Sequence, residues 1–82
     1  MFVKLNDLDL EKFFIMLKRY CDKHHYIYSL RRNGFKHNNI NYLPQLKIFD
    51  NLTKFGTPLI KVTTNTFKEL IPLTIKAIHE EN

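Results

Sequence analysis

Leu10, Phe13, Phe14, Leu17, Tyr20, Cys21 and His24 recur at the spacing of one helical stripe, and directly after them the pattern changes to that of strands. That switch commits the chain to a mixed architecture, because a helix with one apolar face must be covered by the sheet that follows it. The stripe predicts a helix from about Leu8 to His24, capped by Asn6 or Asp7. Asp9 and Glu11 then lie in the first turn, where the helix dipole favours acids. Lys12, Lys18, Arg19 and Lys23 fall outside the stripe. Ile15 projects among these charges, roughly opposite the core face, and is a candidate contact for a partner.

Asn33-Gly34 is the clearest turn signal, since both residues tolerate the positive φ of a two-residue type I′ hairpin. The flanking segments YIYSLRR and FKHNNINY contain strand formers and no proline. A hairpin at that turn pairs Arg32 with Phe35, Leu30 with His37 and Tyr28 with Asn39. One face then carries Tyr26, Tyr28, Leu30, Arg32, Phe35 and His37; the other carries Ile27, Ser29, Arg31, Lys36 and Ile40.

Pro44 ends the second strand, Leu46 to Phe49 reads as a short third strand, and Leu59 to Thr64 as a further one. A final helix begins near Thr66, where Thr66 and Glu69 match a capping box and Phe67, Leu70, Ile71, Thr74 and Ile78 form the inner stripe. Pro72 lies past the first turn, which predicts a kink or a late helix start. The expected fold is α+β: one domain over residues 1–82, with a small antiparallel sheet of three to four strands in the order α-β-β-β(-β)-α. An N-terminal and a C-terminal helix cover one face of that sheet.

At 82 residues, 44% hydrophobic and 26% charged, the chain has the composition of a single globular domain. A lone cysteine excludes an internal disulfide and fits a reducing compartment. MFVKLNDLDL lacks the apolar run of a secretory signal, and no stretch nears the ~18 apolar residues of a membrane span. A cytoplasmic location is expected, with no membrane partner.

Charge is concentrated. Residues 12–36 hold seven cationic side chains and one acid, Asp22, which gives this third of the chain more positive charge than the +5 of the whole. Clustered charge points to a polyanion-binding face. Lys18, Arg19, Lys23, Arg31, Arg32 and Lys36 are the candidate phosphate contacts. Tyr28, Phe35 and His37, with Tyr26, are candidates to stack on unpaired bases.

Other chemistry is thinly represented. His24, His25 and His37 with Lys36 or Arg31 supply the residue types of a metal-independent ribonuclease. Cys21 with His24 or His25 has helical metal-ligand spacing but falls short of a four-ligand structural site. Two glycines cannot build a phosphate-cradling loop, and no carboxylate pair sits in an active-site context. No catalytic residue, cofactor, metal or small-molecule substrate is expected.

Residues 61–78, KVTTNTFKELIPLTIKAI, resemble the strand and final helix of HicA-type toxins, small RNA-cleaving domains with a double-stranded-RNA-binding fold. That resemblance implies the order helix, three strands, helix. The family's Gly-Ser-His catalytic turn has no counterpart here, where Gly34-Phe35-Lys36-His37 carries a histidine at another place. Residues 13–62 are similar in rhythm to the N-terminal half of a small-subunit ribosomal protein, whose C-terminal half has no equivalent. Both resemblances imply RNA, and neither makes the chain a member. The expectation is a small basic non-enzymatic protein that binds RNA or a nucleoprotein through the first helix and the hairpin. The competing expectation is an inhibitor or adaptor of the kind phages and mobile elements encode, acting on an acidic protein surface. A ribonuclease is third.

Overall fold

The computed structural model of the chain describes residues 7–53 and 56–81. Helix α1 (Asp7–His24) leads into strand β1 (Tyr26–Arg31). Two short strands follow, β2 (Phe35–His37) and β3 (Ile40–Tyr42), then β4 (Gln45–Asp50), β5 (Ile60–Thr63) and helix α2 (Phe67–Glu81).

The stripe read from the sequence is the buried face of α1. Phe13, Leu17 and Cys21 are buried, and Leu10, Phe14, Met16 and Tyr20 pack beside them. The helix ends where His25 turns left-handed at φ 57°, its N–H reaching the Asp22 carbonyl at 3.4 Å. The cap expected of Asn6 or Asp7 rests on side chains outside those described.

A three-stranded antiparallel sheet has the order β1-β4-β5, with β4 in the centre. Tyr28, Ile48 and Ile60 oppose one another across it, as do Leu30, Leu46 and Val62. These rows face the helices, because Leu46, Ile48, Ile60 and Val62 join Phe13, Leu17 and Cys21 of α1 and Leu70, Ile71 and Ile78 of α2 in one core. The α+β fold is thus as expected: both helices lie on one face, and the sheet separates that layer from the opposite face.

The hairpin expected at Asn33-Gly34 is replaced by a different pairing. Tyr28 and Leu30 pair with Ile48 and Leu46 of β4, instead of Asn39 and His37. The segment read as a single strand folds back on itself: β2 pairs with β3 in a separate two-stranded ribbon. Its two-residue turn is Asn38-Asn39, with φ of 49° and 64°. The physical reason is burial. Pairing β1 with β4 puts aliphatic partners beside Leu30 and Tyr28 on the core side, whereas the local hairpin sets polar residues there. Residues 32–44 are consequently an excursion between two paired strands.

Gly34 has another use. It has no positive φ, but a Cβ there would meet the Tyr42 carbonyl oxygen at 2.8 Å and Pro44 Cδ at 3.4 Å. The missing side chain lets the two limbs of the excursion approach. Gly34→Ala is expected to force them apart, lower stability by roughly 1–3 kcal/mol and increase amide exchange in β2 and β3; unchanged exchange there would contradict this.

Helix α2 begins at Phe67, with no delay, and runs continuously through the exposed Pro72. The Glu69 N–H reaches Thr66 Oγ1 at 3.3 Å, the cap read from the sequence, and Thr64 Oγ1 donates to the Thr66 carbonyl at 2.6 Å. Thr74 on the inner stripe is fully buried, and its hydroxyl has no hydrogen-bond partner. A buried hydroxyl without a partner costs about 1–3 kcal/mol. Thr74→Val is therefore expected to raise the melting temperature, by about 4–8 °C if it recovers ~1 kcal/mol; a lower melting temperature would mean the hydroxyl is satisfied after all.

Candidate functional site

Strand alternation sends Ile27, Ser29 and Arg31 of β1, Gln45, Lys47 and Phe49 of β4, and Lys61 and Thr63 of β5 to the face away from the helices. Ser29, Lys47 and Lys61 form one row across the three strands; Arg31, Gln45 and Thr63 form the next. Gln45 Nε2 donates to Thr63 Oγ1 at 2.9 Å within that second row. Ile27 and Phe49 make one end of the face apolar; Phe49 is 5% exposed, so that end is covered, and the open part of the face is the two polar rows. No strand of this sheet sends a carboxylate to this face: β1 and β5 contain none, and Asp50 alternates to the helix side, where its Oδ1 accepts the Leu52 N–H at 2.8 Å. Lys47 and Lys61 therefore stand directly opposite each other, and no strand of the sheet sets an acid beside them.

The ribbon of β2 and β3 adjoins the Arg31 end of this face. Phe35 and Tyr42 are paired and stacked, with ring centroids 4.7 Å apart and planes at 16°. Arg31 Nε donates to the Leu43 carbonyl at 2.8 Å, which holds its guanidinium 5.7 Å from the Phe35 centroid and 5.4 Å from that of Tyr42. His37 and Ile40 form the next pair on the same side of the ribbon; Lys36 and Asn41 project on the other side. Phe35, Lys36, His37 and Ile40 are all exposed. Arg32 turns away, its guanidinium 4.8 Å from the Phe67 ring at the start of α2.

The cations of α1 belong to the other side of the sheet. Lys18 pairs with Asp22 at 3.2 Å, an exposed i,i+4 contact of the kind that contributes little. Arg19 and Lys23 are exposed on the same helix, as is Ile15 at 44%. Lys18, Cys21 and Asp22 line a shallow groove of about 350 Å³ with Tyr26, Ile27 and Tyr28. Lys18 lines its groove with Tyr26, Ile27 and Tyr28 at the start of β1, whereas Arg31 and Arg32 make their contacts at the strand's far end. The expected aromatic face also divides. Tyr26 and Tyr28 share the helix side of β1, where Tyr26 stacks on His24 at 5.2 Å and meets Tyr20 edge-on, and Tyr28 keeps 40% of its surface. Phe35 and His37 sit in the ribbon, beyond the other end of the strand.

Lys47, Lys61 and Tyr42 are the residues that sequence reasoning passed over. The alternations Leu46-Lys47-Ile48 and Ile60-Lys61-Val62 each point a lysine away from the core, so their outward direction was readable; their adjacency needed the register. From Lys23 to Phe49 the chain contains no Asp or Glu, a run that joins the ribbon to the sheet in one acid-free stretch.

Among the described residues, no group of three or more His, Cys, Asp and Glu comes together as a metal site. His24 lies in the stack with Tyr20 and Tyr26, His25 in the turn after α1, and His37 on the ribbon. Among the described residues, no helix is long and apolar enough to cross a membrane. Cys21 is buried, and its thiol is pushed up to about 11, first by burial and then by the Asp22 carboxylate. It stays protonated at neutral pH, so a thiol reagent should modify it only as fast as the protein opens; rapid modification of the native protein would contradict this placement. Unfolding lets the proton leave at lower pH, so this group's contribution is intact below about 9 and is lost as pH rises towards 11.

Compared with known protein families, with curated proteins and with solved structures, the chain matches none.

Proposed function

We propose that the protein is a small non-catalytic nucleic-acid-binding protein, with RNA or a nucleoprotein as its partner, that grips the phosphate backbone on the open face of its sheet. The observation that carries this reading is the Lys47–Lys61 pair on a face to which no strand of the sheet sends a carboxylate. Like charges directly opposite one another weaken a sheet. A phosphate backbone lying across the two lysines turns that repulsion into attraction and releases counterions. Arg31 extends the same charge to the base of the ribbon, and Lys36 continues it on the ribbon's far side. Ser29, Gln45 and Thr63 lie beside the cations in the same two rows and supply neutral hydrogen-bonding groups for the sugar and phosphate.

A second reading is a protein-binding inhibitor or adaptor of the kind mobile elements encode. Its support is Ile15, an aliphatic side chain 44% exposed on the polar side of α1, with the groove beside Tyr28 on the same layer. Capture of cellular partners with and without nuclease separates the two, because partners lost on digestion favour nucleic acid.

The direct test is a salt titration with a labelled oligonucleotide. Replacing Lys47 and Lys61 by Ala is expected to weaken binding across sequences and to reduce the slope of log K against log salt by about 1 for each lysine. The reading fails if these changes leave the slope unaltered, or if removing Lys18, Arg19 and Lys23 abolishes binding while the sheet variants do not.

A further inference from the structure

We infer that the Phe35–Tyr42 stack on the ribbon is a seat for an unpaired nucleobase, which makes single-stranded nucleic acid the partner of the open face. This rests on the nucleic-acid reading above and adds to it which form of nucleic acid binds and through which ring.

Burial in the core gives no reason for Phe35. It lies outside the core and is 53% exposed, in a three-residue strand whose every residue is exposed. Tyr42 covers one side of its ring at a stacking distance of 4.7 Å. A planar base laid on the outer side continues the pile as a third layer, and every base has such a face to offer.

The surroundings choose the occupant. The guanidinium of Arg31 is fixed beside both rings by the bond to the Leu43 carbonyl, so a positive charge stands next to the seat, within reach of a nucleotide's phosphate. Arg31 is also the last residue of β1 on the open face, one row along from Ser29, Lys47 and Lys61. A strand tracking those lysines therefore arrives at Phe35. His37, two residues further on the same side of the ribbon, presents a second exposed ring for the next base. An acidic peptide would use the charges but not a flat ring pile. A duplex would use the charges but keeps its base faces inside its own stack.

The chain has no tryptophan, so Phe35→Trp installs a single indole reporter at the seat. The probes are a 12-nucleotide single strand, as RNA and as DNA, and the matching duplex. Quenching of the indole by either single strand and not by the duplex is the result expected, and the stronger of the two identifies the sugar. Phe35→Leu, which removes the ring and no charge, is expected to weaken single-strand binding on the order of tenfold without altering the salt slope. Its melting temperature should fall by only a few degrees, because the ring contacts it loses to Tyr42 and Arg31 lie outside the core. Duplex binding as tight as single-strand binding, with Phe35→Leu silent and the Lys47 and Lys61 variants still weakened, overturns the seat and leaves the nucleic-acid reading standing. No binding to any of the probes overturns both.

Discussion

The pairing of β1 with β4 is the interaction on which the rest of this structure depends. It places Leu30 against Leu46 and Tyr28 against Ile48, and it makes β4 a central strand whose Leu46 and Ile48 are wholly buried between two helices. Burying an aliphatic side chain fully contributes roughly 1.5–3 kcal/mol, while a favourable cross-strand pair adds about 0.2–1 kcal/mol. The distant partner therefore wins over the near one. α1 and α2 both dock on the apolar rows that this register creates.

The same register has a consequence on the opposite face. Because residues alternate, every aliphatic residue of β4 and β5 turned inward turns a lysine, glutamine or threonine outward. The side chains that build the core thus also decide where Lys47 and Lys61 meet. The residues between β1 and β4, left without a place in the main sheet, close into their own ribbon around Asn38-Asn39. Arg31 ties that ribbon back to the sheet through one hydrogen bond and two ring contacts. A positively charged sheet face and an exposed aromatic ribbon are two products of one pairing choice.

The sheet also separates the charge of the chain. Lys18, Arg19 and Lys23 belong to the helical layer, with Asp22 close by, whereas Arg31, Lys47 and Lys61 lie on the face to which the sheet's strands send no carboxylate. An equal count of cations in a linear segment says nothing about this division. What decides it is which side of the sheet each one leaves from, since a polyanion responds to charge it can contact together within a Debye length.

Much of the local structure was legible because it rests on contacts within a few residues. The stripe from Leu10 to His24, the Thr66 cap, the inner face of α2 and the strand character of residues 46–49 and 60–63 follow from periodicity and from side chains reaching their own backbone. The exposed position of Ile15 followed from the same geometry. Strand partners were another matter. Asn33-Gly34 has the residues of a type I′ turn, but a turn is a local preference, and the apolar rows offered by β4 lie 16 residues away from Leu30 at Leu46. The amino-acid order by itself determined the helices, their buried faces and the excess of positive charge. Only the tertiary structure decided which strands pair, and hence which cations share a face and which rings stay exposed, because cross-strand adjacency is set by burial between segments far apart in the chain.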